Sequence, residues 1–447
     1  MTATALSTDL YQLTMVAGHV AAERHERVTA TFELCVRSLP RHRNFLIAAG
    51  LESVLDYVTH LSFDDDQIAW LRHADDLRAA PPAFFDYLRA FRFTGEIRAM
   101  REGTPVFANE PMLQVTAPLG QAQLVETAIL SLVNFQTSVA SKAVRVVAAA
   151  GGRPVMEFGA RRAHGPDAAL LAARSAYLAG CSSTSFVEAG RRYGIPLSGT
   201  MAHAWVQAGE TETGAFVEYA RLFGERSTLL LDTFNTEAAA RAIVASGLRP
   251  GAVRLDSGDL LALSRSVRAI LDSGGLTTTQ IVASSDLDEL RIHGLLSAGA
   301  PIDAFGVGTS VVTSVDAPAL GGVYKLVELN EGGVVRRVMK HSSAKATWPG
   351  RKQVWRYAER NRAVRDIIAL DAEPAFNGAA PLLEPVMRSG RRVADAVAVG
   401  SARVWCAQAV AGLPDTLRRI ERAPAYQVDQ SPALRDAIVA QWSAPPR

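Results

Sequence analysis

Between residues 135 and 345 the sequence alternates between two periodicities, and few folds permit that. Short extended candidates, PVMEF (154–158), STLLLD (227–232), GAVRLD (251–256), QIVASS (280–285) and PIDAFG (301–306), are separated by helical patterns such as TEAAARAIVASGL, LLALSRSVRAILDSG and LDELRIHGLLSAGA. Strands that take turns with helices are joined by right-handed crossovers and form a parallel sheet, so the expected class is α/β. Polar residues gather just after each strand: Arg161 and Arg162, Asp232, Arg254 with Asp256, Ser285 with Asp286, then Gly306 and Gly308. In a βα barrel, that carboxyl end is where active sites are built.

At 447 residues the chain is long enough for two or three domains. Residues 1–134 mix helical and extended stretches, 135–345 hold the alternation, and 346–447 are Arg- and Pro-rich. With 48% hydrophobic and 21% charged residues the composition is globular. A net charge of +2 gives no support to nucleic-acid binding. No apolar run approaches the length that spans a bilayer, and the first residues lack a signal-peptide pattern. Three scattered cysteines argue against a disulfide framework, which together predicts a cytoplasmic protein with no membrane partner.

Five constellations carry chemistry. EFGARRAHGP (157–166) sets two arginines between a short strand and a helix opened by Pro166 and Asp167. Such a place holds something anionic or planar, or is a salt-bridged loop; the helix start adds positive field. Adjacent residues rarely face the same way, so one arginine is expected at a ligand and the other in the loop. RLDSGD (254–259) puts Arg254 and Asp256 two apart at a strand end, pointing the same way. A cation beside a carboxylate suits a sugar diphosphate with Mg²⁺; the bland alternative is a local ion pair, and Asp259 reads as an N-cap. ASSDLDEL (283–290) pairs Asp286 with Glu289 in a capping-box pattern, which still leaves Ser285 and Asp286 open to a ligand. AFGVGTS (304–310) reads as a strand ending in a glycine turn able to cradle a phosphate, or as a plain turn. SGTMAHAW (198–205) holds His203 in a small-residue loop that exposes its ring, although a lone histidine is more often structural.

These segments in order, together with TDLYQLTM (8–15), STSFVEAGRRYGIP (183–196) and KATWPGRKQVWR (345–356), resemble the nicotinate phosphoribosyltransferase family over nearly the whole chain. The resemblance implies an irregular β/α barrel of the type II phosphoribosyltransferase kind, packed against an N-/C-terminal α/β sandwich domain, in a homodimer with shared active sites. It implies transfer from 5-phosphoribosyl 1-diphosphate to nicotinate, with ATP hydrolysis coupled through a phosphohistidine, in NAD biosynthesis. Phe158 is then expected on one side of the pyridine ring and Tyr11 of the partner subunit on the other. Arg254 and Thr200, with Arg161 nearby, contact nicotinate. Asp256, Ser285, Asp286, Gly306, Gly308 and Thr309 hold the phosphoribosyl diphosphate and Mg²⁺, the ion being assigned to Asp256, and His203 is the phosphorylated histidine. Relatives that use nicotinamide carry an acid in the segment matching AGCSST (179–184); here Ser182 and Ser183 stand there, which favours a carboxylate substrate, with Ser182 at the substrate. Ala204 departs from the polar residue that often follows the histidine.

Displacement at the anomeric carbon passes through an oxocarbenium-like state. The pyridine nitrogen has no proton to lose, so no general base is needed, and the sequence shows no obvious catalytic dyad. The rival readings are a nicotinamide or quinolinate phosphoribosyltransferase and a non-catalytic nucleotide sensor on the same fold.

Overall fold

The computed structural model describes residues 4–340 and 347–443; Lys345 and Ala346 of KATWPGRKQVWR lie outside them. The chain forms two units. The first takes the described parts of residues 1–138, 319–418 and 422–447; the second takes 139–318 and 419–421. No helix among the described residues is long and apolar enough to cross a membrane.

The first unit is held by sheets that draw strands from both ends of the chain. Its seven-stranded sheet pairs Val28–Val36 antiparallel with Pro111–Pro118 on one side and Gly322–Glu331 on the other. A four-stranded sheet built on Lys352–Glu359 and Arg362–Leu370 belongs to the same unit. Buried Phe32, Leu34, Val115, Tyr324, Val354 and Ile368 are part of its core. Residues 319–340, expected with the barrel, instead carry two strands of this antiparallel sheet, Gly322–Glu331 and Val334–Arg337. Pairing across some 290 residues decides that boundary, and local pattern does not show it.

The second unit carries six parallel strands, numbered in chain order: β1 (Val155–Glu157), β2 (Ser183–Thr184), β3 (Thr228–Leu230), β4 (Ala252–Leu255), β5 (Gln280–Ala283) and β6 (Ala304–Val307). Their order in the sheet is β2-β1-β6-β5-β4-β3. Every step from β3 to β6, then from β1 to β2, moves one way, and β6 lies beside β1. Right-handed crossovers that all step one way put their helices on one face, as in a barrel rather than a doubly wound sheet. The ring is open between β2 and β3, and a single bridge from Thr184 to Leu197 extends the β2 edge. The result is a parallel half-barrel. Five of the six strands coincide with extended candidates of the sequence; β2 is two residues long and gives no apolar run.

The pleat sorts the side chains. On one face Val155, Leu229, Val253, Leu255, Ile281, Phe305 and Val307 are buried. On the other, Ala252, Val282 and Ala304 cluster with Met156. This second face also carries Arg254 and Gly306, and its small residues leave space for larger groups at the strand ends. Helices that follow the strands open on short polar caps: Asn235 accepts from Ala238 N–H at 2.9 Å, and Asp259 from Leu261 and Ala262 N–H at 3.1 Å each. The Asp259 cap is as the sequence predicts.

Candidate active site

Arg254, near the carboxyl end of β4, is held by three side chains. Its Nε donates to Ser284 Oγ at 2.9 Å, Nη1 to Thr200 Oγ1 at 2.7 Å, and Nη2 to Asp256 Oδ1 at 2.7 Å. A guanidinium has five N–H donors. Three are used, so two have no partner among the described residues. Ser284 also donates to Asp256 Oδ1. Burial pushes the Asp256 carboxyl up, and this is the largest single influence; the Ser284 hydrogen bond, Arg254 and His203 together outweigh it, so Asp256 is held below its ordinary range.

His203 begins the short helix His203–Ala208 in the segment between β2 and β3. Its Nε2 lies 3.9 Å from Asp256 Oδ2 and its Nδ1 3.1 Å from Thr233 Oγ1, with 41% of the side chain exposed. The ring is held at Nδ1 by Thr233, faces the Asp256 carboxylate with Nε2, and is open to a reactant. Asp232, just past β3, accepts from Asp256 N–H at 3.2 Å and from the Ser257 hydroxyl. Its other oxygen is buried and has no hydrogen-bond partner among the described residues.

After β5, Ser285 (φ 93°) and Asp286 (φ 42°) occupy left-handed backbone, which costs a non-glycine residue on the order of 1–3 kcal/mol and is kept only where the surroundings over-determine it. The helix cap lies elsewhere than the sequence suggests. Asp288 accepts from Arg291 N–H at 2.9 Å, and Glu289 is the first helical residue. Asp286 is thus not the cap, because the turn needs two residues more than the pattern allowed.

The EFGARR turn is built tightly. Phe158 N–H donates to Val307 O at 2.6 Å. A Cβ on Gly306 would lie 2.7 Å from two Phe158 ring carbons, and one on Gly159 would lie 2.4 Å from Val312 Cγ1. Glycine at 306 therefore gives the Phe158 ring its place. Beneath the turn Glu157 is buried, accepting from Gly159 N–H and, at 2.6 Å, from Thr184 Oγ1. Burial raises its pKa more than these two bonds lower it. Arg161 and Arg162 stand in a single 3₁₀ turn, Ala160–Arg162, both exposed. Neither side chain makes a hydrogen bond or ion pair among the described residues, so this is not a salt-bridged loop. Pro166 opens the helix Pro166–Leu178, as the sequence predicts.

The structure thus joins Thr200, His203, Arg254 and Asp256 in one network and sets Phe158 against Gly306. Ser285 with Asp286, and Gly308 with Thr309, follow the ends of neighbouring strands β5 and β6. It does not bring Ser182 to this group. That residue precedes β2 at the amino end of the sheet, and its hydroxyl donates to Val155 O at 3.0 Å. Tyr11 lies in the first unit, on the helix Leu10–Ala21, 49% exposed. Ser284, Thr233 and Glu157 were missed as site residues. Ser284 follows by strand alternation from Val282, and Glu157 is the lone acid in an apolar run, so both had a signal. Thr233 had none.

Parallel strands wound in one direction, with arginine, carboxylate and histidine gathered at their carboxyl ends, define an α/β half-barrel with a polar carboxyl-end site. Family models match as the nicotinate phosphoribosyltransferase N-terminal domain (residues 6–134), the nicotinate phosphoribosyltransferase family (154–367) and the corresponding C-terminal domain (376–438). Nicotinate phosphoribosyltransferase pncB2 of Mycobacterium tuberculosis is 46% identical, over 98% of this chain and 93% of its own length. Nicotinate phosphoribosyltransferase of Bacillus subtilis is 44% identical, over 78% of this chain and 72% of its own. The crystal structure of human nicotinic acid phosphoribosyltransferase superposes with a TM-score of 0.84 at 29% identity, covering 97% of this chain and 99% of that one. The chain belongs to the nicotinate phosphoribosyltransferase family.

Proposed function

We propose that this chain transfers the phosphoribosyl group of 5-phosphoribosyl 1-diphosphate to nicotinate, giving nicotinate mononucleotide and diphosphate, in the salvage branch of NAD biosynthesis. The observation that carries it is Arg254: fixed by three side chains beside an ionised Asp256, it keeps two donors for an anion. A charge-assisted pair of N–H bonds is the match for a planar carboxylate. Phe158 covers one face of the pyridine ring, and Thr200 and Arg161 complete the carboxylate side. Ser285, Asp286, Gly306, Gly308 and Thr309 line the phosphoribosyl diphosphate.

In the reaction the pyridine nitrogen lone pair forms the bond to the anomeric carbon as the bond to the diphosphate oxygen breaks. Positive charge develops on the ribose and negative charge on the leaving group. Asp256 faces the first, and the unpaired Arg161 and Arg162 supply field for the second. Among the described residues no cluster of three or more His, Cys, Asp or Glu side chains is placed to hold a metal alone. The donor set fits Mg²⁺ all the same: this ion is typically held by one or two carboxylates and by substrate phosphates, and Asp232 has a buried carboxylate oxygen without a partner beside Asp256. Asp256 and Asp232 would hold it, and when bound it neutralises diphosphate charge. In the ATP-coupled step, a His203 ring nitrogen bonds to the γ-phosphorus of ATP as the bond to the bridging oxygen breaks and ADP leaves. The homodimer, Tyr11 of the partner subunit at the ring, and the N-/C-terminal sandwich domain belong to the same reading.

The test is a parallel assay of nicotinate, nicotinamide and quinolinate with 5-phosphoribosyl 1-diphosphate, with and without ATP. Nicotinate mononucleotide formed faster from nicotinate, and faster still with ATP, is expected. CO₂ release from quinolinate, preference for nicotinamide, or diphosphate binding without turnover would each point to one of the rival readings.

A further inference from the structure

Behind the β5 turn lies a set of charges, buried at Lys142 and Glu289 and partly exposed at Asp316, with no part in the chemistry above. Lys142, in the helix Glu126–Ala149, places Nζ 2.6 Å from Glu289 Oε2 and 2.9 Å from Asp316 Oδ1. Its side chain is 2% exposed and that of Glu289 3%. Arg145, one turn further on, approaches Glu289 Oε1 at 2.9 Å and donates to Ile420 O at 2.9 Å. Two cations and two carboxylates balance. A buried ion pair is weak evidence for stability, because apolar residues of similar size often serve as well. What the buried Lys142–Glu289 pair does supply is direction: the Glu289 carboxylate has few acceptable places.

Those places matter here. Glu289 begins the helix directly after the Ser285–Asp286 turn, and Asp316 follows the helix Thr309–Val312 that leaves β6. Lys142 therefore ties together the segments that follow the two strands at the proposed phosphoribosyl diphosphate site. Left-handed backbone at two successive non-glycine residues relaxes unless both ends are pinned. On one side Ser284 is bound to Arg254, Asp256 and Leu255 O. On the other, Leu287 O accepts from Ser310 Oγ at 2.6 Å, and Glu289 is anchored by Lys142 and Arg145. We infer that Lys142, through Glu289 and Asp316, is a positioning residue that sets the anion-binding conformation of the β5 and β6 turns.

The inference rests on the phosphoribosyl-transfer reading only for what the turns bind, so two readouts are needed. The first is hydrogen exchange of the ligand-free protein. In Lys142→Met and in Glu289→Gln, the peptide covering 284–291 should exchange about tenfold faster, with 260–273 unchanged. The second is steady-state kinetics. The KM for 5-phosphoribosyl 1-diphosphate should rise about tenfold in either variant and no further in the double variant, since the two residues act as one unit. The KM for nicotinate and kcat should stay within about threefold. A merely structural defect lowers the active fraction, which reduces kcat and leaves KM alone. Lys142→Arg, which keeps the charge, should recover part of both effects. Unchanged exchange at 284–291 in folded variants, or a fall in kcat alone, overturns the inference. A wild type that exchanges as expected but never turns over 5-phosphoribosyl 1-diphosphate overturns the functional reading and leaves the positioning role standing.

Discussion

Arginines occur in two opposite settings at the carboxyl end of the half-barrel. Arg254 is bound by Ser284, Thr200 and Asp256 and is mostly buried, while Arg161 and Arg162, three strands away, are exposed and have no side-chain partner among the described residues. The first is a preorganised donor, its orientation fixed before any ligand arrives. The others keep their rotamer freedom and lose it only on binding, which lowers the net gain. A fixed arginine is suited to reading the shape of a small planar anion. Mobile arginines are suited to attracting and screening a highly charged one.

The comparison is broken hardest at Arg254. Arg254→Ala removes the donor and leaves Asp256 without its cation, so kcat/KM for nicotinate should fall at least about a hundredfold, on the scale of a charged hydrogen bond left unmade plus an unpaired half-buried carboxylate. Steady-state kinetics on a variant with wild-type circular dichroism checks this. Next in size is His203. His203→Ala should abolish ATP hydrolysis and its stimulation but keep an ATP-independent residue of activity, because the transfer itself needs no base. Acid-labile label from γ-labelled ATP on the variant would show the role to be misassigned. Smaller again are the mobile arginines. Arg161→Ala and Arg162→Ala should each cost about three- to tenfold, with steeper loss at low ionic strength, where unscreened charge contributes most. Steady-state kinetics at two ionic strengths checks this; unchanged activity in both variants would contradict a role for the exposed arginines.

The smallest effect concerns two carboxylates, Asp256 half-buried and Glu157 buried, shifted in opposite directions. Asp256 lies below its ordinary range, so the stability it contributes is present above the unfolded pKa and is lost as pH falls through the folded one. Glu157 lies above its range because of burial, so folding stability declines as pH rises from the ordinary carboxylate range through the raised one. Melting curves of ligand-free Asp256→Asn and Glu157→Gln across that acid range should therefore diverge from wild type with opposite pH trends. Parallel trends would overturn the assignment of one of them.

Much of this site was legible because its residues are local to strand ends. Arg254 with Asp256 follows from spacing two along a strand, and the glycine turn after β6 and the Asp259 cap follow from local chemistry. What could not be read depends on contacts between distant segments. The Asp288 cap replaces Asp286 because the turn is anchored by Lys142, 147 residues before Glu289. Ser182 falls at the amino end because β2 is only two residues long and its register is set by β1. The boundary at 318 rather than 345 depends on strand 322–331 finding Val28–Val36.

The central claim is that Arg254 reads the carboxylate of nicotinate, and the ratio of kcat/KM for nicotinate to that for nicotinamide tests it most directly. In the wild type the ratio should be about tenfold to a hundredfold in favour of nicotinate, and in Arg254→Ala it should fall to about one. A variant that keeps the wild-type ratio while losing activity would show that Arg254 serves the transfer and that the carboxylate is recognised elsewhere.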